Sequence, residues 1–179
     1  TISKMRDITE YIADFYSHFP RQNGVLPWEI TPYISTIISK KILELNTDDY
    51  AIAAGIAIHK TAIIEKGVIL KEPVIISGNC FVASHAYLRE GVFLGEGVRI
   101  GPGSEIKSSF IGNHSSMAHF NFIGDSIIGG HVNFEAGALI ANHYNERSDK
   151  TIWAQVKGSR TNTGSVKFGA LVGDNSRIG

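Results

Sequence analysis

The sequence predicts an all-β solenoid, a parallel β-helix, and two patterns lead to this prediction. Apolar residues recur every six positions without a break, as Ile58, Ile64, Leu70, Ile76, Val82, Leu88, Leu94, Ile100 and Ile106. A second, mostly small or apolar series follows each of them four positions later, from Ala62 to Phe110. A period of six fits neither a helix nor an isolated strand, whereas stacked coils with three short sides each would produce it.

The repeat is perturbed in the second half of the chain. It slips by one residue after Ile106 and again after Ile123. Residues 142–150 contain too many polar side chains for a coil side, which predicts a protruding loop, and residues 152–165 are only weakly patterned. The hexads return at Val166, so we expect further coils from there, with the last ones incomplete.

The chain before the coils is predicted to be helical. Residues 4–18 and 28–45 carry apolar side chains at helical spacing, and a Pro- and Gly-containing loop at 19–27 separates them. A solenoid needs its open ends covered. We therefore expect residues 1–50 to form a two-helix cap over the first coil and residues 51–179 to form the β-helix.

Composition argues against several classes of function. The chain has 17 Lys and Arg against 17 Asp and Glu, so bulk charge gives no reason to expect nucleic acid or an anionic membrane as partner. Residues 1–30 contain no apolar run that resembles a signal sequence, and no run of about 18 apolar residues could span a bilayer. The single Cys80 occupies an inward position and fits a reducing compartment. A cytoplasmic protein is expected.

Two cations are predicted to lie side by side on the solenoid. Arg89 and Lys107 are 18 residues apart, one coil of three hexads, and each directly follows an apolar ladder residue. Adjacent coils lie about 4.8 Å apart, so both side chains would point the same way. Because neighbouring cations repel, a bound phosphate or carboxylate is one interpretation. The alternative is a surface pair balanced by Glu90 or Glu105.

Histidines offer a candidate base and a candidate metal site. His119 lies outside the inward series, and imidazole is the side chain whose charge changes near neutral pH, which suits a general base. His114 precedes it by five positions, so a metal site is an alternative. The other candidate ligands, His85 and His131, do not fall at whole-coil spacing from this pair.

A family resemblance rests on four short motifs in series. They are His-Phe-Asn-Phe-Ile-Gly-Asp at 119–125, Asn-Phe-Glu-Ala-Gly at 133–137, Asn-His-Tyr-Asn at 142–145 and Lys-Thr at 150–151. Together with the hexads, they resemble the left-handed β-helix acyltransferases. Within these they are most similar to the acetyltransferase domain of the bifunctional N-acetylglucosamine-1-phosphate uridyltransferases. Residues 162–174 also resemble archaeal-type sugar-1-phosphate nucleotidyltransferases that carry a similar half.

The resemblance implies an acetyl-CoA-dependent N-acetyltransferase for an amino-sugar phosphate such as glucosamine 1-phosphate. It implies direct transfer with His119 as base and Asn142 as a second catalytic residue. The residues implied for the substrate are Arg89, Lys107, Phe122, Asn133 and Lys150, and those implied for acetyl-CoA are Ala136 and His143. No metal is implied. The family forms trimers with each site between two subunits, and a nucleotidyltransferase domain usually precedes the coils, so a homotrimer and a separate nucleotidyltransferase are expected partners.

Three departures from the family pattern concern the substrate. The family Tyr is Phe122, a family Lys falls on Ser148 with Arg147 or Lys150 as replacements, and the Tyr after the loop Asn is His143. They bear on which sugar is used more than on the reaction.

Two other functions are compatible with the same sequence. One is a zinc enzyme like the γ-class carbonic anhydrases, based on His114, His119 and the following Gly124-Asp125, although a catalytic zinc needs three protein ligands. The other is a hexapeptide-repeat scaffold without catalytic activity.

Overall fold

The structure is a computed structural model that describes residues 7–21, 24–156 and 158–179. It confirms the predicted fold, a left-handed parallel β-helix of about five coils. Each complete coil contributes one short strand to each of three sides, which we call A, B and C in chain order. Within the described residues, no helix is long and apolar enough to cross a membrane.

The strands of the three sides follow one another along the chain. Side A contains β2 (Ile56–His59), β5 (Val74–Ile76), β12 (Ile127–Ile128) and β17 (Leu171–Val172). Side B contains β3 (Ile63–Ile64), β6 (Phe81–Val82), β8 (Arg99–Ile100), β10 (Ser116–Met117), β13 (Asn133–Phe134) and β18 (Arg177–Ile178). Side C contains β4 (Ile69–Leu70), β11 (Phe122–Gly124) and β14 (Leu139–Ile140). Two longer strands turn the corner from side C into side A, namely β7 (Tyr87–Leu94) and β9 (Glu105–Ile111).

The predicted apolar ladder forms the interior. On side A, parallel pairing stacks Ile58 on Ile76, Leu94, Ile111, Ile128 and Val172. The predicted slip after Ile106 is present as a register shift between β7 and β9, where Arg89 pairs with Lys107 but Leu94 pairs with Ile111. Coils are therefore 18 residues long before this point and 17 after it.

The return of the coils occurs later than the sequence predicts. Val166 is 53% exposed and lies outside the strands, and the first regular strand is β17 at Leu171–Val172. Residues 142–169 form one insert whose base is closed where the Phe168 N–H donates to the Asn142 carbonyl at 2.9 Å. Within the insert lies an antiparallel hairpin of β15 (Trp153–Val156) and β16 (Ser159–Asn162).

The first predicted helix is interrupted. Residues 4–6 lie outside the described part; beyond them are a 3₁₀ turn at Ile8–Glu10 and a short α1 at Phe15–His18. Between these, the Tyr11 carbonyl accepts from the Asp174 N–H at 2.8 Å, and the Ala13 N–H donates to Asp174 Oδ2 at 3.0 Å. These backbone groups bind the last coil and cannot take part in a helical ladder, so the helix is broken there.

The second predicted helix is also divided. It consists of α2 (Pro27–Ile30), a 3₁₀ turn at Thr31–Tyr33 and α3 (Ile34–Ile42). Pro32 has no N–H to donate to the preceding turn, which explains the tighter turn at this point. The chain then enters β1 (Tyr50–Ala53), which pairs antiparallel with β2.

The helical segment packs along side A of the β-helix, and this placement corrects the expected cap over the first coil. Side A presents one outward apolar row across five coils, Ala57, Ile75, Phe93, Phe110 and Ile127, and all of them are buried against the segment. Phe93 and Phe110 stack with ring centroids 5.1 Å apart, and Phe15 packs edge-on against Phe110. Burying each large apolar side chain contributes about 1.5–3 kcal/mol, which favours packing of the helical segment along this long row over packing on the first coil alone.

We expect Gly91→Ala to lower the free energy of unfolding by more than the matched change Gly164→Ala. Gly91 has φ +96°, and a Cβ there would lie 2.8 Å from the Cα of Ser35, so α3 would have to move. Gly164 has φ +67° with nothing within 4 Å of a Cβ, and it measures only the left-handed backbone cost of about 1–2 kcal/mol. Chemical denaturation of both variants checks this, and equal losses would contradict the close contact of α3.

Candidate functional site

The corner between sides C and A holds a cluster of charged residues. Arg89 and Lys107 are register partners in β7 and β9, so the predicted stacking of the two cations is confirmed. The Lys107 side chain is 8% exposed, and its Nζ lies 3.1 Å from Asp125 Oδ2 and 3.2 Å from Glu90 Oε2. The Arg89 Nε donates to Glu105 Oε1 at 2.7 Å, and its guanidinium also bonds Glu90. Three carboxylates therefore surround two cations.

This pairing changes the electrostatics of the corner. Burial alone would lower the pKa of Arg89, but the hydrogen bond and charge of Glu105, together with Glu90, raise it above its ordinary value. Burial would raise the pKa of Glu90, but Lys107 and then Arg89 hold it below its usual value. The cluster carries a formal charge of −1, and a phosphate binding here would have to displace a carboxylate from Arg89 or Lys107.

Two further candidate residues lie beside this cluster. The Asn142 side chain is buried, and its Nδ2 donates to Asp125. The ring of Phe122 lies along side C, because a Cβ on Gly124 would be 2.9 Å from Phe122 Cζ and 2.7 Å from Asn142 Nδ2. Gly124 is therefore the residue that lets the aromatic ring and the amide approach each other, and Asn142 joins the base of the insert to the charged cluster.

The same corner opens into a cavity of about 410 Å³ between the β-helix and the helical segment. Its walls include Thr31 and Ser35 from the helical segment, Glu72 from the first coil, and Lys167 from the insert. Glu90, Ser108 and Asp125 occupy equivalent corner positions with φ values of +57°, +45° and +48°. Non-glycine residues adopt left-handed backbone at an energetic cost, so three of them stacked at this corner indicate that the surrounding contacts hold the backbone there.

A second candidate region lies at the corner between sides B and C. His119 is exposed there, and its backbone carbonyl accepts from the Gly137 N–H of the next coil at 2.8 Å. Within the described part of the chain, the His119 ring has no hydrogen-bond, ion-pair or ring partner, and the neighbouring Ala136 N–H has no acceptor. The corner thus presents an accessible imidazole and an unengaged backbone donor on adjacent coils.

Comparison with known proteins identifies the family. A family profile described as the GMPPB C-terminal domain matches residues 52–162, more than half of the chain. The chain belongs to this family. No curated protein gives a significant match to the sequence.

Solved structures with a similar fold are distant from this member of the GMPPB C-terminal domain family. One is a mutant of perosamine N-acetyltransferase from Caulobacter crescentus in complex with CoA and GDP-perosamine, with 18% identity and a TM-score of 0.26. That comparison covers 48% of this chain and 47% of the other. Another is the acetyltransferase domain of PglB from Neisseria gonorrhoeae FA1090, with 19% identity, 66% coverage of each chain and a TM-score of 0.32. The resemblance to the acetyltransferase domain of the uridyltransferases remains a prediction.

In this member of the GMPPB C-terminal domain family, the nine candidate residues fall into three groups. Arg89, Lys107, Phe122 and Asn142 lie on side C and at its corner with side A. His119 and Ala136 share the corner between sides B and C, and Asn133 lies nearby on side B, where its Nδ2 donates to Glu135 Oε1 at 3.1 Å. His143 and Lys150 are exposed on the insert.

Two residues that sequence reasoning did not assign also belong to these groups. The register partner of Lys107 in the next coil is Gly124, and Asp125 is the residue after it, so coil spacing alone would not have identified this counter-ion. Asn121 is buried under the turn that carries His119, and no spacing signal distinguishes it from an ordinary corner residue.

The proposed pairing of His114 with His119 for a metal is not what the structure shows. His114 lies at the corner between sides A and B, where its ring faces that of His131 at 5.1 Å between centroids. The two are 17 residues apart, which is one coil after the slip, so the expectation that His131 is out of register is wrong. Among the described residues, there is no group of three or more His, Cys, Asp or Glu that could hold a metal ion.

Proposed function

We propose that this protein is an N-acetyltransferase that transfers the acetyl group of acetyl-CoA to an amino sugar. The observation that carries the proposal is the corner between sides B and C. There, the exposed His119 ring lies one coil from the Ala136 N–H, and neither group has a partner among the residues that the structure describes. A base and an oxyanion donor are the two groups that direct acyl transfer to an amine requires. Both lie in the motifs that resemble the acyltransferases.

The proposed reaction needs no covalent enzyme intermediate. The free amine of the sugar attacks the thioester carbonyl carbon, and His119 takes a proton from the nitrogen as the C–N bond forms. The Ala136 N–H donates to the oxyanion of the tetrahedral intermediate. When the intermediate collapses, the C–S bond breaks, and the CoA thiolate takes the proton from the imidazolium. The products are the N-acetyl sugar and CoA with a free thiol.

We propose that a phosphate on the sugar is bound through Arg89. Its side chain is 24% exposed, whereas that of Lys107 is 8% exposed and faces Asp125. A phosphate would replace Glu105 or Glu90 on the guanidinium, with bidentate geometry that Arg favours. Phe122 would form the apolar wall of the sugar site. Asn133, Asn142 and Lys150 would provide polar contacts, and His143 would contact acetyl-CoA.

A homotrimer remains part of the proposal. Within one chain, the His119 group, the Arg89 group and the exposed insert residues lie at different places on the β-helix. In a trimer, a second subunit would bring the missing groups to each site. Sedimentation of the purified protein tests this, and a monomer at working concentration would contradict it. A separate nucleotidyltransferase is the partner we propose, because the product would be an N-acetyl sugar phosphate.

A thiol-release assay with acetyl-CoA tests the function. Glucosamine 1-phosphate, galactosamine 1-phosphate, glucosamine 6-phosphate and unphosphorylated glucosamine form a matched panel. We expect release with at least one phosphorylated amino sugar and a lower rate with the unphosphorylated one. Equal rates with and without phosphate would contradict the proposed binding of phosphate by Arg89. No release with any sugar would contradict the proposed acetyltransferase activity.

The structure also favours a second candidate function on one specific observation. The two cations are already neutralised by Glu90, Glu105 and Asp125, as in a structural ion-pair network. This arrangement would suit a hexapeptide-repeat scaffold without catalytic activity. The panel separates the two functions, because a scaffold releases no thiol with any of the four sugars.

A further inference from the structure

Asn121 links the two turns that carry the proposed base and oxyanion donor. It is the last residue of the corner turn 118–121, which includes His119, and it is 2% exposed. Its Nδ2 donates to the Glu135 carbonyl at 2.7 Å and to the Ala138 carbonyl at 3.1 Å. These two carbonyls are the first and last of the turn 135–138, so one amide group holds both ends of the turn that contains Ala136.

The β-helix does not need an asparagine at this position to make a corner. The equivalent residues of the neighbouring coils are Ala86, Ser104 and Ala138, in the register of β7, β9, β11 and β14. Asparagine also has a cost here, because its Oδ1 is buried without a partner among the described residues. An unsatisfied buried acceptor costs about 1–3 kcal/mol. The two Nδ2 bonds are therefore a feature of this coil that the corner itself does not require.

We infer that Asn121 is a positioning residue for acetyl transfer, one that fixes the Ala136 N–H relative to His119. This inference rests on the proposed function. Among the described residues, the other bond between the two turns runs from the Gly137 N–H to the His119 carbonyl. Turn 135–138 is closed by the Ala138 N–H donating to the Glu135 carbonyl at 3.2 Å, and the Asn121 amide ties both ends of this closed turn to the turn that carries His119. Asn121 does not touch substrate; it acts by holding the backbone whose N–H meets the oxyanion.

Ser115 provides a matched control on another corner. Its Oγ donates to the Gly129 carbonyl at 2.8 Å and accepts from the Val132 N–H at 2.9 Å. These partners are 14 and 17 residues further along the chain, the same separations as between Asn121 and its two partners. Ser115 is fully buried, and the turn 129–132 that it holds contains neither His119 nor Ala136. Ser115→Ala therefore removes a bridge of the same kind from the other side of the coil.

The test compares Asn121→Ala and Asn121→Ser with Ser115→Ala in the full chain. Ala and Ser already occupy this corner position in neighbouring coils, so both variants are expected to fold, and thermal unfolding checks that they do. We expect kcat to fall about 10- to 100-fold in the Asn121 variants, with unchanged KM for both substrates. The control should keep the wild-type kcat. An equal loss in the control, or a rise in KM alone, would overturn the inference.

A second readout is independent of the reaction. Amide hydrogen exchange at Gly137 and Ala138, whose N–H groups donate to the His119 and Glu135 carbonyls, should become faster in the Asn121 variants and stay unchanged in Ser115→Ala. If the wild-type protein shows no acetyl transfer, the proposed function fails, and faster exchange then supports only the part of the inference that Asn121 fixes turn 135–138. If exchange in this turn is unchanged, the positioning role is wrong whatever the activity.

Discussion

Replacing His119 with Ala is expected to lower the rate of acetyl transfer at least 100-fold while the protein remains folded. General-base catalysis contributes about 10²–10⁴-fold to such reactions. The His119 ring is exposed, and no contact within the described part of the chain depends on it, so stability should not change. The measurement is thiol release at saturating substrates, with thermal unfolding measured in parallel.

His85 serves as the control for this substitution. It is exposed at the same corner, two coils earlier, with φ +61°. Because asparagine tolerates left-handed backbone, His85→Asn removes an imidazole from the corner without adding strain. We expect the wild-type rate in this variant. Activity that survives in His119→Ala would show that another group is the base, and an equal loss in both variants would point to the corner as a whole.

The second large effect is expected at the charged corner. Lys107→Met should lower the free energy of unfolding by about 3–5 kcal/mol, because it leaves the carboxylate of Asp125 buried without its cation. Asp125 also accepts from Asn142 and holds the insert, so the destabilisation should spread to residues 142–169. Chemical denaturation gives the free energy, and hydrogen exchange shows where the structure opens.

The double variant Lys107→Met, Asp125→Asn is the control for this prediction. It removes the orphaned charge, and asparagine accepts the φ of +48° at this position. We expect it to recover a large part of the stability lost in the single variant. A single variant as stable as the wild type would show that the pair contributes nothing, as for an exposed ion pair.

The sequence was sufficient to predict the β-helix because the period of six is a direct consequence of the fold. The sequence also carries a signal for where the helices pack, because the apolar residues Ala57, Ile75 and Phe93 recur every 18 residues on the outward face of one side. These positions alternate with the inward ladder, and an outward apolar row could be identified only after sides were assigned. The break in the first helix depends on hydrogen bonds to Asp174, more than 160 residues away, which no local pattern contains.

At the charged corner, the stacking of the two cations was predicted better than their ion pairing. Coil spacing correctly placed Arg89 beside Lys107. Sequence reasoning left open a bound anion or balance by Glu90 or Glu105, and the structure shows both Glu residues paired with the cations. Periodicity could not decide between the two, because the contacts depend on how side chains turn at one corner. Asn142 was assigned to catalysis from a motif, and the structure shows it also closing the insert through Asp125. Its catalytic role stays a prediction.

The central claim is that the acetyl group moves from acetyl-CoA to the nitrogen of an amino sugar. The most direct measurement uses acetyl-CoA labelled with carbon-13 at the carbonyl, followed by nuclear magnetic resonance with glucosamine 1-phosphate and its relatives. We predict that the label appears in the amide of an N-acetyl sugar with the wild-type protein and not with His119→Ala. Label that stays in acetyl-CoA, or appears only in free acetate, would contradict the claim.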